Sequence, residues 1–364
     1  MKNAVIVLKL NKNELFGVNP AVLDGFFKNG YAFDEVLVLQ DDEERLKEAY
    51  ADMKTRVDNL LLICDKRKIE RVADTLFSNE NAFLKLTAES CGMLNDGDFT
   101  AFLVAENSEQ SIPFVKEICI PQLIKKYGIR YDKMIIKTVG APLKLVENLL
   151  ERAKQISGSE LFYNHKRENE ADTIEICYNS RTPRMLTDDA LRIFAEGLDE
   201  FIYALDDKSL EEQLVEVLKL RGKKIAVAES FTGGGVGKRI VSVSGASEVY
   251  HEGLNTYSEL SKQKRLGVSE YTLQSFGAVS DETAYQMAAG LIASGDVDVS
   301  IATTGIAGPK SDRTEYPVGL AYIAVGTREK VYVYRYKFDG DRKEITEKAI
   351  NHALFLAYRH LRNI

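Results

Sequence analysis

Cysteine is scarce in this sequence. The four cysteines among 364 residues, Cys64, Cys91, Cys119 and Cys177, are widely spaced and form no Cys-x-x-Cys pair. This favours reduced, mostly buried thiols over disulfides or a thiolate metal site. None lies beyond position 177, and the histidines of the C-terminal half are too scattered to suggest a zinc cluster. Chemistry in that half must therefore come from hydroxyls, carboxylates, lysines or the backbone, and we expect no metal and no cofactor.

An excess of positive charge is also missing. Lys and Arg number 48 against 55 Asp and Glu, which gives a formal net charge of −7. Nucleic acids and anionic membranes are recognised through basic surfaces, so the sequence argues against both as the main partner. A small phosphorylated ligand needs only a local basic pocket and is compatible with this charge.

Long apolar runs are absent as well. No run approaches the roughly 20 residues that cross a bilayer. Residues 4–8 are apolar, but Lys9, Lys12 and Glu14 follow at once, which is typical of a first buried strand and not of a signal peptide. The sequence predicts a cytoplasmic protein.

Apolar runs alternate with amphipathic segments in the first part of the chain. Buried strands are predicted at residues 4–8, 35–39, 59–64 and 100–104, and helices at residues 20–29, 42–56 and 142–156. This alternation favours a mostly parallel sheet that is covered by helices on both faces. We place a first domain at residues 1–157, a small α+β module at residues 158–207 and a last domain at residues 208–364.

The last domain repeats the alternation of strands and helices. Strands are predicted at residues 224–227, 249–257 and 297–303, a hairpin at residues 319–338, and helices at residues 210–221, 281–294 and 342–361. The predicted fold class is α/β, with two three-layer α/β/α domains flanking the small α+β module.

The densest feature of the last domain is a strand that runs into a glycine-rich turn, IAVAESFTGGGVGK at residues 225–238. It delivers Ser230 to the carboxyl end of a strand, where ligands bind in open α/β sheets. Free amides near Thr232, Gly233 and Gly234, at the start of the following helix, could bind a phosphate or an oxyanion. The run completes neither the P-loop nor the Gly-x-Gly-x-x-Gly pattern, so a purely structural turn is the alternative interpretation.

A tyrosine and a lysine five residues apart form the second feature. Tyr257 and Lys262 leave a predicted strand and enter a helix, so both could face one crevice. A serine without a histidine partner can lose its proton to a desolvated lysine or to a tyrosinate. The alternative is an amphipathic helix, with Tyr257 as a rim aromatic and Lys262 solvated.

Two further stretches are candidates for the walls of this crevice. Thr304 and Gly305 lie at another strand-to-glycine turn, where the backbone can approach a ligand closely. Arg342 opens the final helix and could clamp a phosphate bidentately, although a surface pair with Asp341 is equally compatible with the sequence. Ser280 is interpreted first as the N-cap of the helix at residues 281–294 and only second as a site wall.

Six sequence blocks, taken together and in this order, resemble the C-terminal domain of the CinA family, the nicotinamide mononucleotide amidohydrolases. The blocks are A-E-S-x-T-G-G at residues 228–234, T-Y-S-x3-K at 256–262, G-A-V-S at 277–280, G-I-A-G-P at 305–309, P-V-G at 317–319 and G-D-R at 340–342. The sequence departs from the family at Phe231, where cysteine is usual, and in the charged loop at residues 310–316, which is usually glycine-rich.

The resemblance implies an amide hydrolysis, from nicotinamide mononucleotide to nicotinate mononucleotide and ammonia. In the family pattern the nucleophile corresponds to Ser230, and its activating partners correspond to Tyr257 and Lys262. The expected oxyanion donors are amides around Gly233 or Gly305, and the partner is a small-molecule nucleotide substrate.

The N-terminal region resembles the molybdopterin-binding-type domain that precedes this amidase in full-length members, at residues 13–17, 30–33 and 41–46. The family's Gly-Gly-x-Gly-Pro-Thr loop should follow the strand at residues 59–64, where this chain has Asp65-Lys66-Arg67-Lys68. Because the phosphate-cradling glycines and the metal-binding carboxylates are missing, we expect no nucleotide-sugar pyrophosphatase activity. The domain is interpreted as a scaffold and as the dimerisation unit of a homodimer.

Two rival functions remain open at this point. One is a catalytically silent ligand-binding or regulatory protein, which the degenerate N-terminal loop favours. The other is a nucleotide hydrolase that uses residues 233–238 as a phosphate loop, which the missing template positions disfavour.

Overall fold

The computed structural model describes residues 1–9, 20–77, 90–106, 108–309 and 316–362, together with the backbone of residues 84–87. The chain divides into two compact units, residues 1–132 with 178–181 and residues 133–177 with 182–364. Within the described residues, no helix has the length and apolar character needed to cross a membrane.

The first unit is a six-stranded sheet with helices on both faces. Its elements are β1 (Asn3–Lys9), α1 (Pro20–Phe27), β2 (Glu35–Gln40), α2 (Glu43–Arg56), β3 (Asn59–Cys64), α3 (Ile69–Phe77), β4 (Leu84–Thr87), β5 (Cys91–Asp96), β6 (Phe99–Ala105), α4 (Ser111–Phe114) and α5 (Ile120–Tyr127). The strand order is β2-β1-β3-β6-β5-β4, parallel from β2 to β6 and antiparallel in the last two pairs.

Alternate side chains of β1 enter two separate cores. Ile6 and its same-face neighbours pack beneath α2 and α3, whereas Val5 and Val7 pack beneath α1, α4 and α5. Successive side chains of a strand point to opposite faces, so an uninterrupted apolar run is what a sheet covered on both faces requires. The predicted three-layer arrangement of this domain is confirmed.

The charged turn after β3 is closed by contacts within the unit. The Asp65 carboxylate accepts a hydrogen bond from the Arg67 amide at 2.9 Å, and Lys68 and Arg71 both pair with Asp41, which follows β2. The charged residues that stand in place of the glycine loop thus form hydrogen bonds and ion pairs within the unit. The resemblance at residues 13–17 lies outside the described residues.

A small four-stranded sheet follows in the chain. Its elements are β7 (Tyr131–Val139), α6 (Leu143–Ser157), β8 (Phe162–Glu168), β9 (Ala171–Asn179), α7 (Arg184–Leu198) and β10 (Ile202–Ala204). The strand order β10-β7-β9-β8 is that of a βαββαβ, ferredoxin-like module.

The predicted start of this module at residue 158 is therefore wrong. Residues 131–157 fall within the predicted first domain, but they form β7, which lies at the centre of the module's sheet, and α6, which packs on α7. Helical periodicity shows that a segment has an apolar face, but it does not show which sheet that face covers.

The last domain is a five-stranded mixed sheet. Its elements are α8 (Leu210–Leu220), β11 (Ile225–Glu229), α9 (Gly235–Val241), β12 (Tyr250–Asn255), α10 (Glu259–Leu266), α11 (Glu270–Phe276), α12 (Asp281–Ala293), β13 (Val299–Gly305), β14 (Leu320–Thr327), β15 (Val331–Lys337) and α13 (Arg342–Arg362). The order is β12-β11-β13-β14-β15; the first three strands are parallel, and β14 and β15 are antiparallel additions.

Both faces of this sheet are covered, as predicted. Ile225 and Val227 of β11 pack with α8, α9 and α13, whereas Ala226 and Ala228 pack with α10, α11 and α12. Small side chains on the second face let α12 lie close to the strands. The two three-layer domains and the α+β module together confirm the α/β fold class.

The module and the last domain share one core. Tyr203 and Ala204 of β10 belong to the same buried cluster as Leu210 and Leu214 of α8. The tip of the β8–β9 hairpin also binds α13, where the Asn351 side-chain amide donates to the Asn169 carbonyl at 2.9 Å and His352 pairs with Glu170 at 2.9 Å.

The cysteines are as the sequence predicted. All four are free; Cys64, Cys91 and Cys119 are buried, and Cys177 is half-buried. Burial raises the pKa of the Cys64 thiol to about 12, which makes it a poor nucleophile.

Candidate active site

The parallel strands of the last domain bring three sequence motifs to one edge of its sheet. Ser230 follows β11, and its amide donates to the Thr303 carbonyl of β13 at 3.1 Å. Thr256 follows β12, and its amide donates to the Glu229 carbonyl of β11 at 2.8 Å. Since parallel strands all end at the same edge, residues far apart in the sequence meet there.

Lys262 reaches Ser230 from the first turns of α10. Ser258 caps this helix by accepting a hydrogen bond from the Ser261 amide at 3.2 Å, which fixes the direction in which Lys262 leaves it. The Lys262 side chain is only 1% exposed, and its Nζ lies 3.1 Å from Ser230 Oγ. The alternative of a solvated lysine is thereby excluded, and the structure brings the predicted serine and lysine together.

Lys262 loses its proton more readily than an exposed lysine does. Burial lowers the pKa of this amine to about 8, although the charge of Glu259 opposes the shift. Its Nζ donates to the Thr256 carbonyl at 2.7 Å and to the Tyr257 carbonyl at 3.4 Å. A neutral amine has two hydrogens, so these two carbonyls can take both and leave the nitrogen lone pair for the Ser230 hydroxyl.

Tyr257 contributes its main chain to this cluster and not its phenol. The side chain is 67% exposed, and its hydroxyl has no hydrogen-bond partner among the described residues. The structure therefore does not bring the predicted tyrosinate into contact with Ser230.

The glycine-rich turn is filled by a carboxylate. Glu229 is 1% exposed, and its two oxygens accept from the amides of Gly234 at 3.0 Å, Val236 at 3.1 Å and Gly237 at 2.8 Å. An acidic side chain here satisfies the amides that the first turn of α9 leaves unpaired. An external phosphate would have to displace it.

The prediction that the Gly233 and Gly234 amides hold substrate is corrected by these contacts. The Gly234 amide is bound to Glu229, and the Gly233 amide donates to the Ser230 carbonyl at 3.1 Å. Because the Glu229 carboxylate already binds the amides of this segment, residues 233–238 are poorly suited to be a phosphate loop. The amides of Phe231 and Thr232, by contrast, have no acceptor among the described residues and lie directly after the serine.

The third motif is tied to the neighbouring helix cap. Thr304 is buried, and its hydroxyl donates to the Ala278 carbonyl at 2.6 Å, so this side chain is engaged in structure. Ser280 is the N-cap of α12, as predicted, since its hydroxyl accepts from the Thr283 amide at 3.2 Å.

Arg342 lies against the turn that follows β13. Its Nη1 donates to the Gly308 carbonyl at 2.7 Å, while the guanidinium remains exposed. Asp341 instead accepts from the Glu344 amide at 2.9 Å and begins α13, and among the described residues it forms no ion pair with Arg342. Arg342 thus borders the Gly305 turn, and the other N–H groups of its guanidinium can donate to a ligand.

Across the part of the chain that the structure describes, no three His, Cys, Asp or Glu side chains are grouped so that they could hold a metal ion.

Comparison with known proteins places these residues in a family. The model of the CinA C-terminal domain matches residues 207–361. A protein of Caldicellulosiruptor saccharolyticus that is named competence-damage inducible is 37% identical over 262 residues, which cover 71% of this chain and 64% of that protein. A CinA-like protein of Kosmotoga olearia is 33% identical over 283 residues, which cover 76% of this chain and 67% of the relative.

The chain belongs to the CinA family. It spans less than two thirds of the Caldicellulosiruptor protein's own length. Among solved structures, the competence or damage-inducible protein of Enterobacter asburiae is 32% identical and covers 42% of this chain and 96% of its own, with a TM-score of 0.41.

One departure from the CinA pattern has a structural explanation. Phe231 is buried in the core beneath α9 and α13, and its ring would lie 2.9 Å from a side chain placed at Gly305. The substitution thus alters the packing behind the turn and not the Ser230 hydroxyl. The other departure, the loop at residues 310–316, lies outside the described residues except for Tyr316.

Two parts of this CinA site were missed from the sequence. The sequence pattern places Glu229 simply at the end of the strand, because nothing in its spacing shows that its side chain turns back onto α9. The carbonyl of Thr256 carries no side-chain signal at all. The Thr256 hydroxyl is also buried and has no partner among the described residues.

Proposed function

We propose that this protein hydrolyses the carboxamide of nicotinamide mononucleotide to the carboxylate and ammonia, with Ser230 as nucleophile and Lys262 as general base. The observation that carries the proposal is the 3.1 Å contact between a buried lysine amine and the serine hydroxyl. Membership of the CinA family supports a hydrolytic site at this position.

The first half of the reaction forms an ester on Ser230. Neutral Lys262 takes the hydroxyl proton while Ser230 Oγ attacks the carboxamide carbon, and the carbonyl oxygen becomes an oxyanion. The amides of Phe231 and Thr232, which directly follow the serine and have no acceptor among the described residues, are the donors that we assign to that charge. Protonated Lys262 then gives its proton to the departing nitrogen, the carbon–nitrogen bond breaks and ammonia leaves.

The second half reverses these roles with water. Lys262, neutral again, takes a proton from water, whose oxygen attacks the ester carbon. The carbon–Oγ bond then breaks, Lys262 returns the proton to Ser230 Oγ, and the acid is released. The amine begins and ends the cycle neutral, which its pKa of about 8 allows near neutral pH.

The phosphate of the substrate is assigned to Arg342. Its guanidinium is exposed beside the Gly305 turn and uses one donor on the Gly308 carbonyl. The remaining donors suit a phosphate, which arginine binds through two parallel hydrogen bonds. The Gly234 amide is not available for this role, because Glu229 holds it.

Replacing the proposed nucleophile is the direct test. Ser230→Ala should lower ammonia release from nicotinamide mononucleotide by at least about a thousandfold, since the loss of a nucleophile costs orders of magnitude. The melting temperature should stay close to that of the parent. Ammonia is measured in a coupled assay with no metal added.

Ser261→Ala is the matched control. Ser261 neighbours Lys262 on α10, but among the described residues its hydroxyl bonds only the Ser258 carbonyl in its own turn, at 2.7 Å, so activity should stay within about threefold. Retention of activity by Ser230→Ala would remove the serine as nucleophile. Absence of ammonia release by the parent protein would instead favour a catalytically silent family member.

A further inference from the structure

Tyr257 combines an engaged main chain with an unengaged ring. Its carbonyl lies 3.4 Å from Lys262 Nζ, the same amine that contacts Ser230 Oγ. The ring is 67% exposed, and its hydroxyl is unpaired among the described residues. The residue that carries this exposed aromatic ring is thus also one of the main-chain anchors of the lysine.

The proposed substrate offers a chemical partner for such a ring. Its pyridine ring is substituted at nitrogen by the ribose and carries a formal positive charge. The face of a tyrosine ring attracts cations through its quadrupole and stacks on planar groups. The buried carboxylate at this edge, Glu229, is occupied by three amides and is not placed to balance the charge.

We propose that Tyr257 is a specificity-determining residue of this site, whose ring stacks on the cationic, N-substituted pyridine ring and so presents the carboxamide to Ser230. This inference rests on the proposed function. It gives the tyrosine a role in binding, where the family resemblance implied a role in activating the serine. The two roles differ in which part of the side chain is needed, the ring or the hydroxyl.

Two variants separate these roles. Tyr257→Phe keeps the ring and removes the hydroxyl, whereas Tyr257→Leu removes the ring. The control is Tyr271→Leu, because Tyr271 on α11 is equally exposed, at 71%, and packs edge-on against Phe276. Each protein is titrated calorimetrically with nicotinamide mononucleotide and with its 1,4-dihydro form, whose ring is neutral. Turnover is measured in parallel.

We expect Tyr257→Leu to weaken binding of the cationic nucleotide about tenfold and binding of the neutral form by less than about threefold. Tyr257→Phe should retain most of the affinity and lose less than about threefold in kcat, and Tyr271→Leu should bind both forms as the parent does. Equal weakening for both forms, or unchanged binding by Tyr257→Leu, would overturn the inference. A hundredfold loss of kcat in Tyr257→Phe would restore the hydroxyl to the reaction.

The binding measurement keeps this inference separable from the proposed function. If the parent protein binds the nucleotide but releases no ammonia, the proposed reaction fails and the titrations still decide the role of Tyr257. If the parent binds neither form, both proposals are overturned.

Discussion

If Lys262 is the base, its burial predicts a pH dependence of ammonia release with a definite sign. Burial lowers its pKa to about 8, so the amine is charged below this pH and able to accept a proton above it. We expect kcat for ammonia release to rise about tenfold per pH unit below pH 8 and to level off above it. Steady-state rates from pH 6 to pH 10 measure this directly.

Two lysine substitutions on α10 test whether Lys262 causes this pH dependence. Lys262→Met should lose turnover at every pH, whereas Lys264→Met, on the exposed side of α10, should keep the inflection near pH 8. A flat profile in the parent protein would show that the lysine does not act as the base.

The same lysine ties stability to pH. Its pKa of about 8 in the folded protein lies below the ordinary value of 10.5, so the unfolded chain binds more protons between these two values. The free energy of unfolding contributed by this residue therefore rises as pH increases from 8 towards 10.5. Urea titrations should show the parent gaining stability relative to Lys262→Met across that window.

At this scale the sequence identified the proposed reacting groups but not their surroundings. Ser230 and Lys262 were found from a strand-to-glycine turn and a family resemblance, and they do meet. Whether Lys262 is buried depends on the helix direction set by the Ser258 cap and on the carbonyls of Thr256 and Tyr257. A main-chain carbonyl can belong to any residue type, so the sequence did not show which carbonyls the Lys262 amine would contact. For the same reason it did not show that the phenol of Tyr257 would stay out of the cluster.

Among the elements, α9 depends on a residue outside it. The Glu229 carboxylate accepts from three amides at the start of this helix, where an amide side chain has only one acceptor oxygen. Glu229→Gln should lower the free energy of unfolding by about 1.5–3 kcal/mol, the range for hydrogen bonds to charged groups. Urea unfolding measures the loss.

Glu252→Gln is the control, because it removes the same negative charge from the neighbouring strand. Glu252 is exposed on β12, and such surface substitutions usually stay within about 0.5 kcal/mol. Equal urea midpoints of unfolding for Glu229→Gln and Glu252→Gln would show that the glycine-rich turn does not need the Glu229 carboxylate.

The elements themselves were largely predictable because their patterns are local. The strand β3 was placed at its observed residues, 59–64, since an unbroken apolar run between polar neighbours has few other solutions. The three-residue strand β10 and the charged strand β8 were not predicted. The first is too short to show a period, and the alternation of the second, FYNHKRE, is hidden by long polar side chains.

At the scale of the molecule, the segment that holds the proposed catalytic groups is shorter than the segment that forms the surrounding core. Every proposed reacting group lies within residues 207–364, but part of the core around α8 and α13 comes from β7 and β10. A fragment of residues 207–364 should therefore keep ammonia release per folded molecule within about threefold. Its melting temperature should lie several degrees below that of residues 133–364, because buried apolar contacts are lost.

Circular dichroism and the ammonia assay on both fragments test this. Equal melting temperatures would mean that the module adds nothing to the stability of the last domain. An inactive but folded short fragment would mean that the site needs a residue from elsewhere in the chain.

The shared core also bears on how such a chain can be reassembled from parts of its relatives. An exchange near residue 132 would fall at the boundary of the first compact unit and would separate residues 178–181 from the rest of that unit. An exchange near residue 207 would place Tyr203 and Ala204 from one parent against Leu210 and Leu214 from another. Ancestral recombination and present-day chimaeras should thus succeed more often at the first junction than at the second, although the second is where the match to the CinA C-terminal domain begins.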